Sequence, residues 1–274
     1  MDLVHDKFNR LKEILAGMES VLVAFSGGVD STFLARVAHD LLGDRACAIT
    51  ATSPTYPDSE FRSATELARQ IGIRQIVVES NELEIPGFAA NPRDRCYHCK
   101  RELFDICAVR GRELGFAVIA DGSTTDDLND YRPGRRALAE LAVRSPLLEA
   151  GLAKDEIRVL SRELGLPTWD KQAYACLASR FPYGTEITAE RLGMVERCEE
   201  FLKENGFTTY RVRFHGTTAR IETAERDFPR FLERRFRTAL VDFFKGAGFT
   251  YVALDLQGYR TGSMNEGETG LDAA

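Results

Sequence analysis

No run of apolar residues in this sequence approaches the roughly 20 positions a helix needs to cross a bilayer. The opening segment Met1–Met18 alternates charged and apolar residues at helical spacing, where a secretion signal is continuously apolar. Basic charge is not in excess: 36 Lys and Arg stand against 42 Asp and Glu, a net charge of −6. Broad attraction to nucleic acid requires many neutralised phosphates and is not expected here. Internal repeats and low-complexity tracts are lacking too. The expected compartment is the cytoplasm, where thiols stay reduced, so the six cysteines read first as packing residues, metal ligands or catalysts.

A chain of 274 residues with 44% apolar and 28% charged side chains buries its own core without disulfide staples. Val21 to Phe25 forms a short β-leaning run ending in Ser-Gly-Gly, and Ser31 to Leu42 continues at helical period. Cys47 to Ala51, Ile76 to Val78 and Phe116 to Ala120 are further buried-strand segments, separated by helical stretches at Asp58 to Ile71 and Lys100 to Leu114. Strands alternating with helices predict an α/β fold with a doubly wound parallel sheet, which binds ligands beyond the carboxyl ends of its strands. After Gly151 come a helix at Lys154 to Leu164, a loop from Trp169 to Thr185, then helix, strand, strand, helix and strand through Leu254. The expected domains are 1–186, a smaller α+β domain at 187–267, and a tail at 268–274.

Ser26-Gly27-Gly28-Val29-Asp30-Ser31 lies between a strand and a helix, so its amides and the helix N-terminus converge on a point where an anion can sit. A simple capped turn explains one polar residue but not this combination. The loop lacks the Gly-Lys-Ser/Thr ending of a Walker A loop and the G-x-G-x-x-G dinucleotide pattern. Cys96-Tyr97-His98-Cys99 is read as a loop entering a helix, and Cys176 lies in a second loop. Two thiolates at this spacing form a redox pair or share a metal, either structural zinc or an iron–sulfur cluster with an open iron. Cys47, Cys107 and Cys198 read as core residues. Arginines cluster around Arg211, Arg213, Arg220 and Arg260, whereas Arg230, Arg234, Arg235 and Arg237 read as the solvated side of an amphipathic helix.

The loop Ser26–Ser31 resembles the PP-loop of the N-type ATP pyrophosphatases, which split ATP between its α- and β-phosphates and leave AMP on a substrate oxygen. Longer segments narrow the resemblance. Asn91-Pro92-Arg93-Asp94-Arg95-Cys96 with Cys99-Lys100, Asp121-Gly122 with Asp126-Asp127 and Asp130-Tyr131-Arg132-Pro133-Gly134, Ala178 to Gly184, and Leu254 to Asn265 are similar to the LarE family across nearly the whole chain. The resemblance implies a sulfur transferase of nickel-pincer cofactor synthesis that uses Mg²⁺-ATP to adenylate a pyridinium-3,5-dicarboxylate mononucleotide. It implies ATP binding by Ser26, Gly27, Gly28, Val29, Asp30, Ser31, Asp121, Gly122 and Asp127, with Lys100 also facing phosphate or Mg²⁺. It further implies substrate binding by Arg180, Glu200, Arg211, Arg213, Glu222 and Arg260, a [4Fe–4S] cluster on Cys96, Cys99 and Cys176, and Cys176 as the catalytic cysteine.

Single-cysteine members sacrifice the sulfur at the position of Cys176, and members with the C-x-x-C pair hold a cluster. This chain has all three cysteines. A sulfide donor and a homo-oligomer are the expected partners. A tRNA or metabolite thiolase and a nucleotide-responsive metal module that turns nothing over are the competing readings.

Overall fold

The computed structural model describes residues 3–128, 134–172, 175–260 and 263–265. The Asp130–Pro133 part of one LarE-like segment and the expected tail lie outside them. Two compact units share the chain: Met1–Ile85 with Asp94–Tyr174, and Pro86–Arg93 with Ala175–Ala274. The main boundary thus falls at Ala175 rather than Ile187. Pro86–Arg93 goes with the second unit because Gly184 N donates to Asn91 O at 3.0 Å and Ile187 N to Ala89 O at 2.8 Å.

The first unit runs α1 (Leu3–Ala16), β1 (Val21–Ala24), α2 (Val29–Leu42), β2 (Ala46–Thr52), α3 (Asp58–Ile71), β3 (Arg74–Glu79), α4 (Arg95–Glu113), β4 (Val118–Ala120), α5 (Gly134–Glu140), α6 (Pro146–Glu149) and α7 (Lys154–Glu163). Its four strands are parallel in the order β3-β2-β1-β4, so β1 and β2 occupy the centre, where near-continuous apolar runs belong. Strand residues alternate between two cores. Val21, Val23, Ala46 and Ala48 join a cluster with Phe33 and Leu34 of α2 and Ile157 and Leu160 of α7. Leu22, Cys47 and Ile49 join one with Phe104 and Cys107 of α4 and Leu138 of α5. Helices therefore cover both faces, as the alternation of elements requires.

The second unit contains α8 (Ala189–Glu204), β5 (Tyr210–His215), β6 (Thr218–Thr223), α9 (Phe228–Leu232), α10 (Arg234–Gly246) and β7 (Tyr251–Leu254). Its sheet has the order β5-β6-β7, with β5 antiparallel and β7 parallel to β6. Val212, Ala219 and Ile221 alternate along β5 and β6 with Arg211, Arg213, Arg220 and Glu222, and the register sets Arg211 opposite Glu222 and Arg213 opposite Arg220. Among the described residues, no helix is long and apolar enough to cross a membrane.

Helix α4 begins five residues before the expected Lys100, so Cys96 and Cys99 sit on its first turns and not in a loop. Tyr97 explains the early start. It is 9% exposed, its hydroxyl donates to Glu140 Oε2 of α5 at 2.7 Å, and the Arg136 guanidinium lies 3.8 Å above its ring. Gly134 brings α5 against this turn, since a Cβ there would lie 2.9 Å from Lys100 Cγ and 3.2 Å from the Cys96 carbonyl.

Candidate active site

The PP-loop-like segment leaves the carboxyl end of β1 and enters α2. Phe25 N bonds Ile49 O at 2.8 Å and Thr50 Oγ1 bonds Phe25 O at 2.8 Å, fixing where the chain departs from the sheet. Ser31 Oγ accepts from Ser26 N at 3.3 Å and lies 3.2 Å from Ser26 Oγ, closing the turn. Gly27 has φ +65°, and an added Cβ would stand 2.9 Å from both Ala64 Cα and Cβ, so conformation and the close approach of α3 both demand glycine. Gly122 makes a second close approach, with a Cβ there falling 3.1 Å from Ser31 N. The segments expected to bind nucleotide are thus neighbours.

Three residues that pattern reading passed over brace this loop. Lys171 Nζ donates to Gly27 O at 3.0 Å and to Glu60 Oε2 at 2.8 Å, and Tyr56 Oη donates to Ser26 O at 2.9 Å. Asp121, 4% exposed, serves the protein: it accepts from Ser123 Oγ at 2.5 Å and Ser145 Oγ at 2.6 Å. Asp127 accepts from Thr124 N at 2.9 Å and pairs with Lys154 Nζ at 3.5 Å.

Asp30 feels this group. Burial raises its pKa to about 6, Lys154 and Arg158 draw it down, and Asp127 and Asp126 push it up. The folded value exceeds the ordinary 3.8, so the folded state binds the extra proton and stability falls as pH rises from about 4 to 6. Asp30→Asn is expected to stabilise the Mg²⁺-free protein by about 1–3 kcal/mol at pH 7.5, with the gain fading below pH 4. Thermal unfolding in chelator across that range measures it; a gain that stays constant with pH would contradict the argument.

The three cysteines of the expected metal set are divided between the units. Cys96 is exposed and Cys99 half-buried on the first turns of α4; Cys176, in the second unit, is exposed. No disulfide joins any of the six cysteines. Among the described residues, no three His, Cys, Asp or Glu side chains converge on one point. Cys96 and Cys99 are one helical turn apart, and the buried carboxylate of Glu82 lies 3.9 Å from Cys99 Sγ. Cys47, Cys107 and Cys198 are fully buried, and burial pushes their thiols up to about 11, 12 and 12. Neutral and enclosed, they are packing residues.

In the second unit Cys176 precedes the 3-10 turn Leu177–Arg180, and Ser179 N bonds Cys176 O at 3.0 Å. Arg180 is fully buried and holds this turn from within. Its Nε and Nη2 grip Glu199 at 2.9 Å each, while Nη1 donates to Ala175 O at 2.7 Å, Cys176 O at 3.2 Å and Ser179 Oγ at 2.9 Å. Arg180, expected to bind substrate, is committed to positioning the backbone of Cys176. Glu199 also accepts from Val212 N at 3.0 Å, so one buried carboxylate ties α8, β5 and the cysteine turn together. Its neighbour Glu200 points elsewhere, partly exposed and 3.7 Å from Lys203.

The arginine cluster centres on Glu222, which is fully buried. It accepts from Arg213 Nε and Nη2 at 3.0 and 2.8 Å, Arg220 Nη2 at 2.9 Å and Ser263 Oγ at 2.7 Å. Arg213 Nη1 reaches Ser179 O at 3.1 Å, linking the cluster to the cysteine turn. Arg220 and Arg260 approach Asp255 at 3.6 and 3.9 Å, and Arg211 lies 5.2 Å from the Tyr259 ring. Arg213 and Arg220 thus share the Glu222 carboxylate, and Arg220 and Arg260 lie near Asp255.

A family model described as NAD synthase matches residues 4–89, which contain the glycine loop. The chain is 44% identical to an uncharacterised protein of Synechocystis over 96% of this chain and 98% of the relative. It is 39% identical to the pyridinium-3,5-bisthiocarboxylic acid mononucleotide synthase of Lactiplantibacillus plantarum over 92% of this chain and 91% of that protein. A more distant match, 23% identical over 74% of this chain and 43% of the relative, is the glutamine-hydrolysing GMP synthase of Aeropyrum pernix. Its likeness to the synthase over nearly the full length of both chains makes this protein a member of the LarE family, the ATP-dependent sulfur transferases built on a PP-loop.

Proposed function

We propose that the protein adenylates a carboxylate of pyridinium-3,5-dicarboxylate mononucleotide and converts it to a thiocarboxylate. The full-length likeness to a pyridinium-3,5-bisthiocarboxylic acid mononucleotide synthase carries this reading. The amides of Gly27 to Ser31 and the N-terminus of α2 receive the β- and γ-phosphates, and Mg²⁺ is taken by the carboxylates Asp30 and Asp127 beside them. A substrate carboxylate oxygen attacks the α-phosphorus, pyrophosphate leaves, and sulfur then attacks the acyl carbon while AMP departs with the oxygen. No electrons are gained or lost. Arg211, Arg213, Arg220 and Arg260 orient the anionic substrate, and Arg180 holds the Cys176 turn.

Cys96, Cys99 and Cys176 would hold a [4Fe–4S] cluster, which supplies an iron with an exchangeable position for sulfide. That chemistry belongs to a thiol-reducing compartment such as the cytoplasm, and the sulfide comes from a separate donor.

The test is turnover by anaerobically prepared protein with ATP, Mg²⁺ and the pyridinium dicarboxylate mononucleotide, with added sulfide. Pyrophosphate release together with repeated thiocarboxylate formation is expected. A single turnover that leaves the protein lighter by one sulfur would replace the cluster with sacrifice of Cys176, and absence of pyrophosphate would overturn the substrate assignment.

A further inference from the structure

Three successive carbonyls of the glycine loop are each held by a donor. Tyr56 Oη donates to Ser26 O at 2.9 Å, Lys171 Nζ to Gly27 O at 3.0 Å, and Thr32 N to Gly28 O at 3.0 Å. Across a planar trans peptide the N–H points opposite to the carbonyl that precedes it. Fixing these three oxygens therefore fixes the N–H directions of Gly27, Gly28 and Val29, turned away from the donors. With Gly27 at φ +65°, successive amides held this way form a concavity that suits an anion. The Thr32 bond is the ordinary first bond of a helix. The other two come from side chains, and a plain strand-to-helix turn has no need of them.

Each of those side chains is itself secured. Lys171 lies in an irregular stretch, yet Arg158 of α7 donates to Trp169 O at 2.7 Å and to Lys171 O at 2.8 Å, and Lys171 N bonds Thr168 O at 3.0 Å. Glu60 of α3 takes the Lys171 ammonium at 2.8 Å, so its counter-ion aims it at the loop. Burial, with a smaller push from Glu60, raises the Tyr56 phenol well above its usual range and keeps it a donor. A neutral phenol and an ammonium already paired with a carboxylate bring little net charge to the loop. What they supply is orientation.

We propose that Tyr56 and Lys171 are positioning residues for adenylation, holding the Gly27 and Gly28 amides in their phosphate-binding orientation before ATP arrives. The proposal rests on the reading of this loop as the ATP site. Two adjacent glycines left untied sample many backbone conformations, and ordering them on binding would weaken the complex. Neither side chain has to touch a phosphate to act.

The experiment uses the full chain as wild type, Tyr56→Phe and Lys171→Met. Calorimetry measures binding of α,β-methylene-ATP and of pyrophosphate, each with Mg²⁺; amide spectra of glycine-labelled protein and thermal unfolding are recorded on the same samples. Each variant is expected to bind both ligands roughly tenfold more weakly. The Gly27 and Gly28 amide signals of the ligand-free variants should shift or broaden, and return toward wild type on saturation. Tyr56→Phe removes one oxygen and no charge, so it separates orientation from electrostatic attraction and decides the matter even if Lys171→Met does not fold. Wild-type affinity in Tyr56→Phe overturns the proposal, whether or not Tm falls, and so does weakened binding with both glycine signals unchanged. A wild type that binds neither ligand overturns the reading of the loop as the ATP site, a result distinct from these.

Discussion

Cys176→Ala is expected to abolish sulfur transfer while sparing the first half of the reaction. The sulfur of Cys176 is required by the cluster route and by sacrifice alike, and alanine offers neither a ligand nor a nucleophile. Product formation should fall at least ~10³-fold, to the background of the assay. Pyrophosphate release in the first turnover depends on the loop at Ser26–Ser31, which is braced by Tyr56 and Lys171 within the first unit, and should remain. Cys176 is exposed and supports no core, so the variant should unfold with wild type. Pyrophosphate assay, mass spectrometry of the product and thermal unfolding separate these effects. Thiocarboxylate made at more than a hundredth of the wild-type rate would remove Cys176 from the mechanism.

The largest stability effect is expected at Glu199. Removing it by Glu199→Ala takes away the carboxylate that the buried Arg180 guanidinium grips through two nitrogens and frees Val212 N, costing about 3–5 kcal/mol. In a domain of this size that lowers Tm by roughly 6–20 °C. The double variant Arg180→Met, Glu199→Leu removes both charges and should recover most of the stability, because apolar packing replaces a buried ion pair at little net loss. Activity should behave differently. The carbonyls of Ala175 and Cys176 lose their donor in the double variant, so sulfur transfer stays at least ~10-fold down even as Tm returns. Thermal unfolding and turnover measured on the same samples decide this; recovery of both together would make Arg180 a purely structural residue.

The repeating parts of the fold were open to sequence reading, because periodicity reports burial. Strands β1 to β4 and the helices between them follow from apolar runs and helical spacing, and the glycine loop follows from its place between a strand and a helix. What escaped depends on distant partners. The start of α4 is set by Tyr97 meeting Glu140 and Arg136, contacts that no local pattern around Cys96 encodes. Glu199 and Glu200 are chemically identical neighbours, yet the helical turn between them sends one to Arg180 and the other toward Lys203. Lys171 lies in a stretch without periodicity, and its role appears only when the fold returns it to Gly27. Glu82 carries no motif, and its character comes from burial beside Thr55 and Cys99.

The way the two units share the chain bears on how the protein is made. Pro86–Arg93 emerges from the ribosome long before the residues that hold it, since Ala89 must wait for Ile187 and Asn91 for Gly184. At ordinary elongation rates that wait is on the order of 5–20 s. During it the C-x-x-C turn, only a few residues downstream, is already synthesised. A nascent chain would therefore carry Cys96 and Cys99 for seconds before Cys176 is made, and slowing translation between Asp94 and Ala175 should lengthen the period in which these two thiols are open to oxidation.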